Sequence, residues 1–329
     1  MPSRPSPDVG RKRLAILYHS AAGGTRVVAD LLAELVGGQH DARATRIEEA
    51  GALEQARRCD FLLLCYPTYF LRPSPSMQEF VERLAPRRGN PPAFLVTTYE
   101  LYAENSLRAC ALAMRRKGFL VRGSAAIRAP GSDLTCVIPD WLCTWLYRFQ
   151  PGFPRRLRAI ARQVSALARS GGRRERLPRL KWYTPAAQAL QRGFFDGFIG
   201  WRRRIRILSD RCSDCGQCVR RCDRGGWTRE DGEIRHHPER CELCTRCIHH
   251  CPRKAIVLSP LLRDNRRLDA RHFRGLEARA RRALSLPALS LPAPSAPAPA
   301  PSPLLPALPL PAPFPPARFP SPRNGGESA

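Results

Sequence analysis

Eight of the thirteen cysteines in this 329-residue chain fall into two copies of one spacing, Cys-x2-Cys-x2-Cys-x3-Cys. The first run is Cys212, Cys215, Cys218 and Cys222; the second is Cys241, Cys244, Cys247 and Cys251, followed by Pro252. Three thiolates this close on one tight loop can grip three corners of a cube, which is the chemistry of iron–sulfur ligation. Disulfides would ask for an oxidising compartment, and no secretory signal is visible. The start contains Arg and Pro, and Leu14–Tyr18 is too short for the apolar part of a signal peptide. Zinc favours two separated Cys-x2-Cys pairs, not a four-cysteine run repeated.

The two runs resemble the ligand motif of bacterial ferredoxins that carry two [4Fe–4S] clusters. The resemblance implies that the fourth cysteine of each run serves the other cluster. One cluster would then be held by Cys212, Cys215, Cys218 and Cys251, and the second by Cys241, Cys244, Cys247 and Cys222. Asp223 stands where a proline usually follows the fourth cysteine of the first run. The expected consequence is a more polar and mobile loop at Cys222. Asp231-Gly232 is a tight hairpin signal between Trp227–Glu230 and Glu233–Arg235. Arg206–Leu208 and Ala255–Leu258 read as the outer strands of a small ferredoxin core.

A cysteine-bearing segment this short leaves most of the chain to another domain. From Arg13 to about Ser170, short apolar strands alternate with helical segments, the pattern of a parallel sheet with helices on both faces. The expected strands are Leu14–Tyr18, Ala42–Ile47, Phe61–Cys65, Ala93–Thr98 and Leu120–Ala126. The expected helices are Thr25–Leu35, Met77–Leu84, Ser106–Lys117 with Asn105 as N-cap, and Pro154–Arg169. Such units make an α/β flavodoxin-like doubly wound sheet of order 2-1-3-4-5, whose ligand sits at the carboxyl ends of the strands.

The loops at those ends carry a second resemblance. After the first strand come Ser20, Ala21, Ala22, Gly23, Gly24 and Thr25, small residues opening a helix, where backbone N–H groups can surround an anion. The run is similar to the S-x-T-G-N-T phosphate loop of flavodoxins, which bind FMN. Pro67, Thr68, Tyr69 and Phe70 look like the second flavin loop, and Thr98, Tyr99 and Tyr102 belong to the third. Tyr69, Tyr99 or Tyr102 could stack on the flavin ring. Ala22 and Gly24 stand where Thr and Asn are usual, and each loses a side-chain donor to phosphate. The whole arrangement resembles the flavodoxin–ferredoxin fusion family over roughly residues 12–260.

Composition bounds the rest. The formal net charge is +27, yet nearly all of the 55 basic residues are Arg, a skew typical of a GC-rich genome. No stacking motif or recognition helix accompanies the charge, so nucleic acid is not expected, whereas an acidic redox partner is compatible with it. No apolar run approaches a transmembrane span, and the expected location is cytoplasmic. The expected organisation is a polar leader 1–11, the flavodoxin-like domain 12–170, a linker 171–205 and the ferredoxin domain 206–262. A charged helix 263–284 and a disordered Pro/Ala-rich tail 285–329 follow. Phe194, Phe195, Phe198, Ile199 and Trp201 are expected to pack between the domains. Cys59, Cys65, Cys110, Cys136 and Cys143 are expected in passive positions, and His249 and His250 on the solvated surface. No nicotinamide fingerprint, Ser-His-Asp set, HExxH or Walker loop is legible. The functional expectation is electron transfer through two [4Fe–4S] clusters, coupled to FMN, with a partner protein as donor or acceptor. Two alternatives stand beside it. One is an FMN-dependent reductase using Tyr102, Glu100 or Glu104 as proton donor, and the other a ferredoxin whose first domain is a docking scaffold.

Overall fold

The computed structural model describes residues 11–287 apart from 88, 104, 143, 171–173, 180–199 and 201–203. The first half alternates strand and helix: β1 (Arg13–Tyr18), α1 (Gly24–Gly37), β2 (Asp41–Arg46), α2 (Ala52–Arg58) and β3 (Phe61–Tyr69). The two-residue β4 (Arg72–Pro73), α3 (Pro75–Arg83), β5 (Pro92–Tyr99), α4 (Ser106–Arg116), β6 (Leu120–Arg128) and α5 (Phe153–Arg169) follow. The main strands lie in the order β2-β1-β3-β5-β6, all parallel, while β4 folds back antiparallel on β3. This is the 2-1-3-4-5 order of a flavodoxin-like sheet, with its switch point between β1 and β3.

The central strands are apolar on both faces, because each face is covered by helices. Ile16, Leu63, Phe94 and Val96 pack under α1 and α5; Leu17, Leu62, Leu64 and Leu95 pack under α2, α3 and α4. Asn105 precedes α4 as expected, but its side chain makes no capping bond.

The cysteine half is built from two small antiparallel ladders. β7 (Arg206–Ile207) pairs with β10 (Ile256–Val257), and β8 (Trp227–Glu230) pairs with β9 (Glu233–His236). Asp231 and Gly232 both take positive φ, as a two-residue hairpin requires. Two one-turn helices, α6 (Gln217–Arg220) and α7 (Arg246–His250), carry the third cysteine of each run.

The last described element corrects an expectation. The charged segment forms α8 over Ala270–Leu284 rather than from 263. Asp269 caps it by accepting from the His272 amide at 2.8 Å. Its apolar stripe, Phe273, Leu276, Ala280 and Leu284, joins the core under α1 and α5. Arg26 of α1 pairs with buried Glu277 at 3.1 Å, and Arg281 pairs with Glu34. The aromatic group from Phe194 to Trp201, most of the linker and the Pro-rich tail beyond 287 lie outside the described residues.

Candidate metal centres

The two cysteine runs repeat each other in backbone conformation. Asp214 and Leu243, each two residues past the first cysteine of its run, both have φ near +50°. Gly216 and Thr245, each two residues later, are also left-handed and open the short helices. A β-branched residue is strained there. Thr245 is held by donating Oγ1 to Ser132 O at 3.0 Å. The fourth cysteines match as well: Cys222 Sγ accepts from the Gly226 amide at 3.1 Å, and Cys251 Sγ from the Ala255 amide at 3.2 Å.

This coiling gathers the cysteines around two separate hollows. The first is bordered by Cys212, Cys215, Cys218 and Cys251, with Ile207, Ile234 and Ile256 as apolar walls. The second is bordered by Cys222, Cys241, Cys244 and Cys247, with Ile205 and Trp227 beside them. In each case the fourth cysteine has crossed from the other run. Among the described residues no three His, Cys, Asp or Glu side chains converge tightly enough for a single ion. Four thiolates around one hollow are the donor type that an iron–sulfur cluster takes.

The two hollows differ in their surroundings. In the first run Ser213, Asp214 and Cys215 are exposed. In the second, Glu242, Leu243, Thr245, Arg246, Ile248 and His249 are all buried, because this run sits on the carboxyl ends of the parallel strands. Glu242 is the centre of that contact. Its Oε2 accepts from Ser76 N at 3.2 Å and Ser76 Oγ at 2.8 Å, and its Oε1 lies 3.2 Å from His19 Nε2. His19 Nδ1 is hydrogen-bonded to Glu48 Oε1 at 2.5 Å. Burial pulls the His19 pKa down, but Glu242 and Glu48 outweigh it and push it up to about 9. Burial likewise pushes Glu242 up, and His19 outweighs that, holding it down at about 2.

Arginines complete the contact. Arg224 makes a two-point pair with Glu79 of α3, at 2.9 and 2.8 Å. Asp223 accepts from Arg46 Nη2 at 2.8 Å and from Arg246 Nη1. The residue expected to loosen the loop at Cys222 therefore ties it to the sheet. His249 and His250 correct another expectation: both face the α/β half rather than solvent. His249 donates from Nε2 to Ser132 O at 2.7 Å and accepts the Leu268 amide on Nδ1 at 3.1 Å; burial pushes its pKa down to about 3. His250 Nε2 donates to Ala22 O at 3.2 Å, and burial followed by Arg221 lowers it to about 4.

The loops expected to hold FMN lie at this same boundary. Arg246 donates from Nε to Ala21 O at 3.1 Å and from Nη2 to Ser20 O at 2.5 Å. Phe273 of α8 covers the glycines: a Cβ built on Gly23, whose φ is +138°, would stand 2.6 Å from its ring. Thr25 Oγ1 and Thr98 Oγ1 hydrogen-bond to each other at 2.7 Å, and Ser20 Oγ is buried without a partner. Pro67 O accepts from the Ser74 amide, and Thr68 Oγ1 meets Thr97 Oγ1 at 2.7 Å. The Tyr69 hydroxyl is buried, and its ring meets His19 edge-on. Phe70 packs into the core of the cysteine half. Tyr99 is half-buried, and Tyr102 is 64% exposed. Arg246 and Phe273 of the same chain thus pack against the loop expected to hold the FMN phosphate.

Cys59, Cys65 and Cys110 are buried in the α/β half and Cys136 in the core of the cysteine half, its Sγ 3.8 Å from His249 Nε2, while Cys143 and Glu104 fall outside the described residues. No described helix is long and apolar enough to cross a membrane.

No family model and no curated protein matches the chain. Among solved structures it is similar to a flavodoxin from the domain Archaea, at 12% identity, covering 48% of this chain and 99% of that one with a TM-score of 0.36. A Streptococcus pneumonia TIGR4 flavodoxin gives 15% identity, 47% and 98% coverage and a TM-score of 0.36. The two-electron reduced flavodoxin of Megasphaera elsdenii gives 21% identity, 34% and 84% coverage and a TM-score of 0.31.

Proposed function

We propose that this chain is an electron-transfer protein holding two [4Fe–4S] clusters, with the α/β half serving as the scaffold on which the second cluster site docks. The observation that carries this reading is the exchange of fourth cysteines between the two hollows. Cys212, Cys215, Cys218 and Cys251 would hold one cluster, and Cys241, Cys244, Cys247 and Cys222 the other. When bound, such clusters supply one-electron transfer at low potential.

The chain's own residues set the terms of that transfer. Amides of Gly226 and Ala255 donate to Cys222 and Cys251 sulfurs, which favours the more negative, reduced state. Arg246, buried, and Arg224, half-buried, both line the second hollow and add positive charge there, in part offset by Asp223 and Glu242. The first hollow opens at exposed Cys215, with Arg220 and Arg229 beside its loop. That edge is the natural port for a partner, and its charge suits an acidic one.

The test is anaerobic purification followed by reaction with an acidic low-potential carrier. Reversible reduction of the chain, weakened by salt and by Arg220→Glu with Arg229→Glu, supports the reading. A chain that holds iron yet exchanges no electrons with any low-potential donor contradicts it.

A further inference from the structure

The loop after β1 has the position and the small residues of an anion site, but its carbonyls hold side chains of the second cysteine run. Three consecutive carbonyls, of Ser20, Ala21 and Ala22, accept from Arg246 Nη2, Arg246 Nε and His250 Nε2. The loop's carbonyls are thus turned to the second cysteine run, and the guanidinium they hold is already paired with Asp223. The two residues that usually add side-chain donors are Ala22 and Gly24, and Thr25 is engaged by Thr98. Phe273 packs against the same loop, its ring 2.6 Å from a Cβ built on Gly23. Phe273 is itself fixed, only 1% exposed and packed in the core with Leu276 and α1.

We propose that the Ser20–Gly24 loop is a docking socket for Arg246 and for the cysteine run that carries it, and that the intact chain holds no flavin. The ligand position of the sheet is thereby occupied by a protein partner from within the same chain, and small residues are retained there because Arg246 and Phe273 approach the backbone closely. Docking of the cysteine half and binding of FMN exclude one another.

The experiment uses the full chain, purified anaerobically with riboflavin supplied during growth, and measures acid-released flavin and iron on one sample. Added FMN is then titrated by quenching of its fluorescence. The expected result is no released flavin and no saturable quenching; a stoichiometric flavin overturns the proposal whatever the iron content. Iron measured alongside reports on the cluster reading separately, since a flavin-free chain without iron leaves the socket standing and removes only that reading. Docking is read by limited proteolysis within residues 171–205. Arg246→Met is expected to be cut roughly tenfold faster than wild type, as an opened contact requires. Phe273→Ala, which lies in neither cysteine run, serves should Arg246→Met not fold, and the same acceleration is expected. Wild-type cutting rates in the folded variant overturn the socket.

Discussion

Asp223 meets Arg46 at 2.8 Å, joining the residue after Cys222 to the end of β2. The same carboxylate also receives Arg246, so one acid sits between an arginine of the sheet and an arginine of the second cysteine run. Removing one member of such a partly buried network leaves the others unpaired, which costs more than an exposed pair would.

Asp223→Asn is therefore expected to lower stability by on the order of 3 kcal/mol while iron content stays at the wild-type level. Denaturant unfolding with iron analysis on the same samples checks this. An unchanged midpoint would mean that the network contributes nothing.

His19 gives a pH dependence with a definite sign. In the folded chain it keeps its proton to about pH 9, against 6.5 for an ordinary histidine. The charged pair with Glu48 and Glu242 thus stabilises fully below pH 6.5 and loses its contribution as pH rises through about 9. Glu242, held near 2 against its ordinary 4.5, acts on the other limb: its contribution is full above 4.5 and is lost as pH falls through about 2. Thermal melts between pH 6.5 and 9 are expected to fall for wild type and to flatten in His19→Gln. A wild-type curve as flat as that of the variant would count against the buried pair.

Cys222→Ala is expected to damage the cluster of Cys241, Cys244 and Cys247, and Cys251→Ala that of Cys212, Cys215 and Cys218. Reduced-state electron paramagnetic resonance distinguishes the two sites, because the second lies beside Arg246 and Glu242 and the first does not. Loss of the sequence-adjacent cluster in each variant would show that every run closes on itself.

Phe273→Ala removes a fully buried ring from the core that α8 shares with α1 and α5. A loss of about 3–5 kcal/mol is expected from the transfer and cavity contributions. If α8 were only a surface appendage, the substitution would be silent in a melt.

Periodicity and spacing carried the local architecture, since strand and helix of the α/β half, the hairpin at Asp231-Gly232 and the β7–β10 pair all follow from short-range patterns. Seven-residue α2 went unread because only Ala52 and Ala56 of it are buried, too little for a legible apolar stripe. What the sequence concealed was long-range: that His249 and His250 turn inward, that Asp223 answers Arg46, and that Phe273 returns across 250 positions to Gly23. The contact of Arg246 with the Ser20–Gly24 loop was concealed for the same reason. Small residues permit close approach by any group, and the approaching group here is Arg246.

The most direct measurement is iron and acid-labile sulfide per chain in anaerobically purified or reconstituted protein. Two sets of four cysteines predict about eight of each. About four of each in a fully reconstituted sample would contradict the two-cluster account.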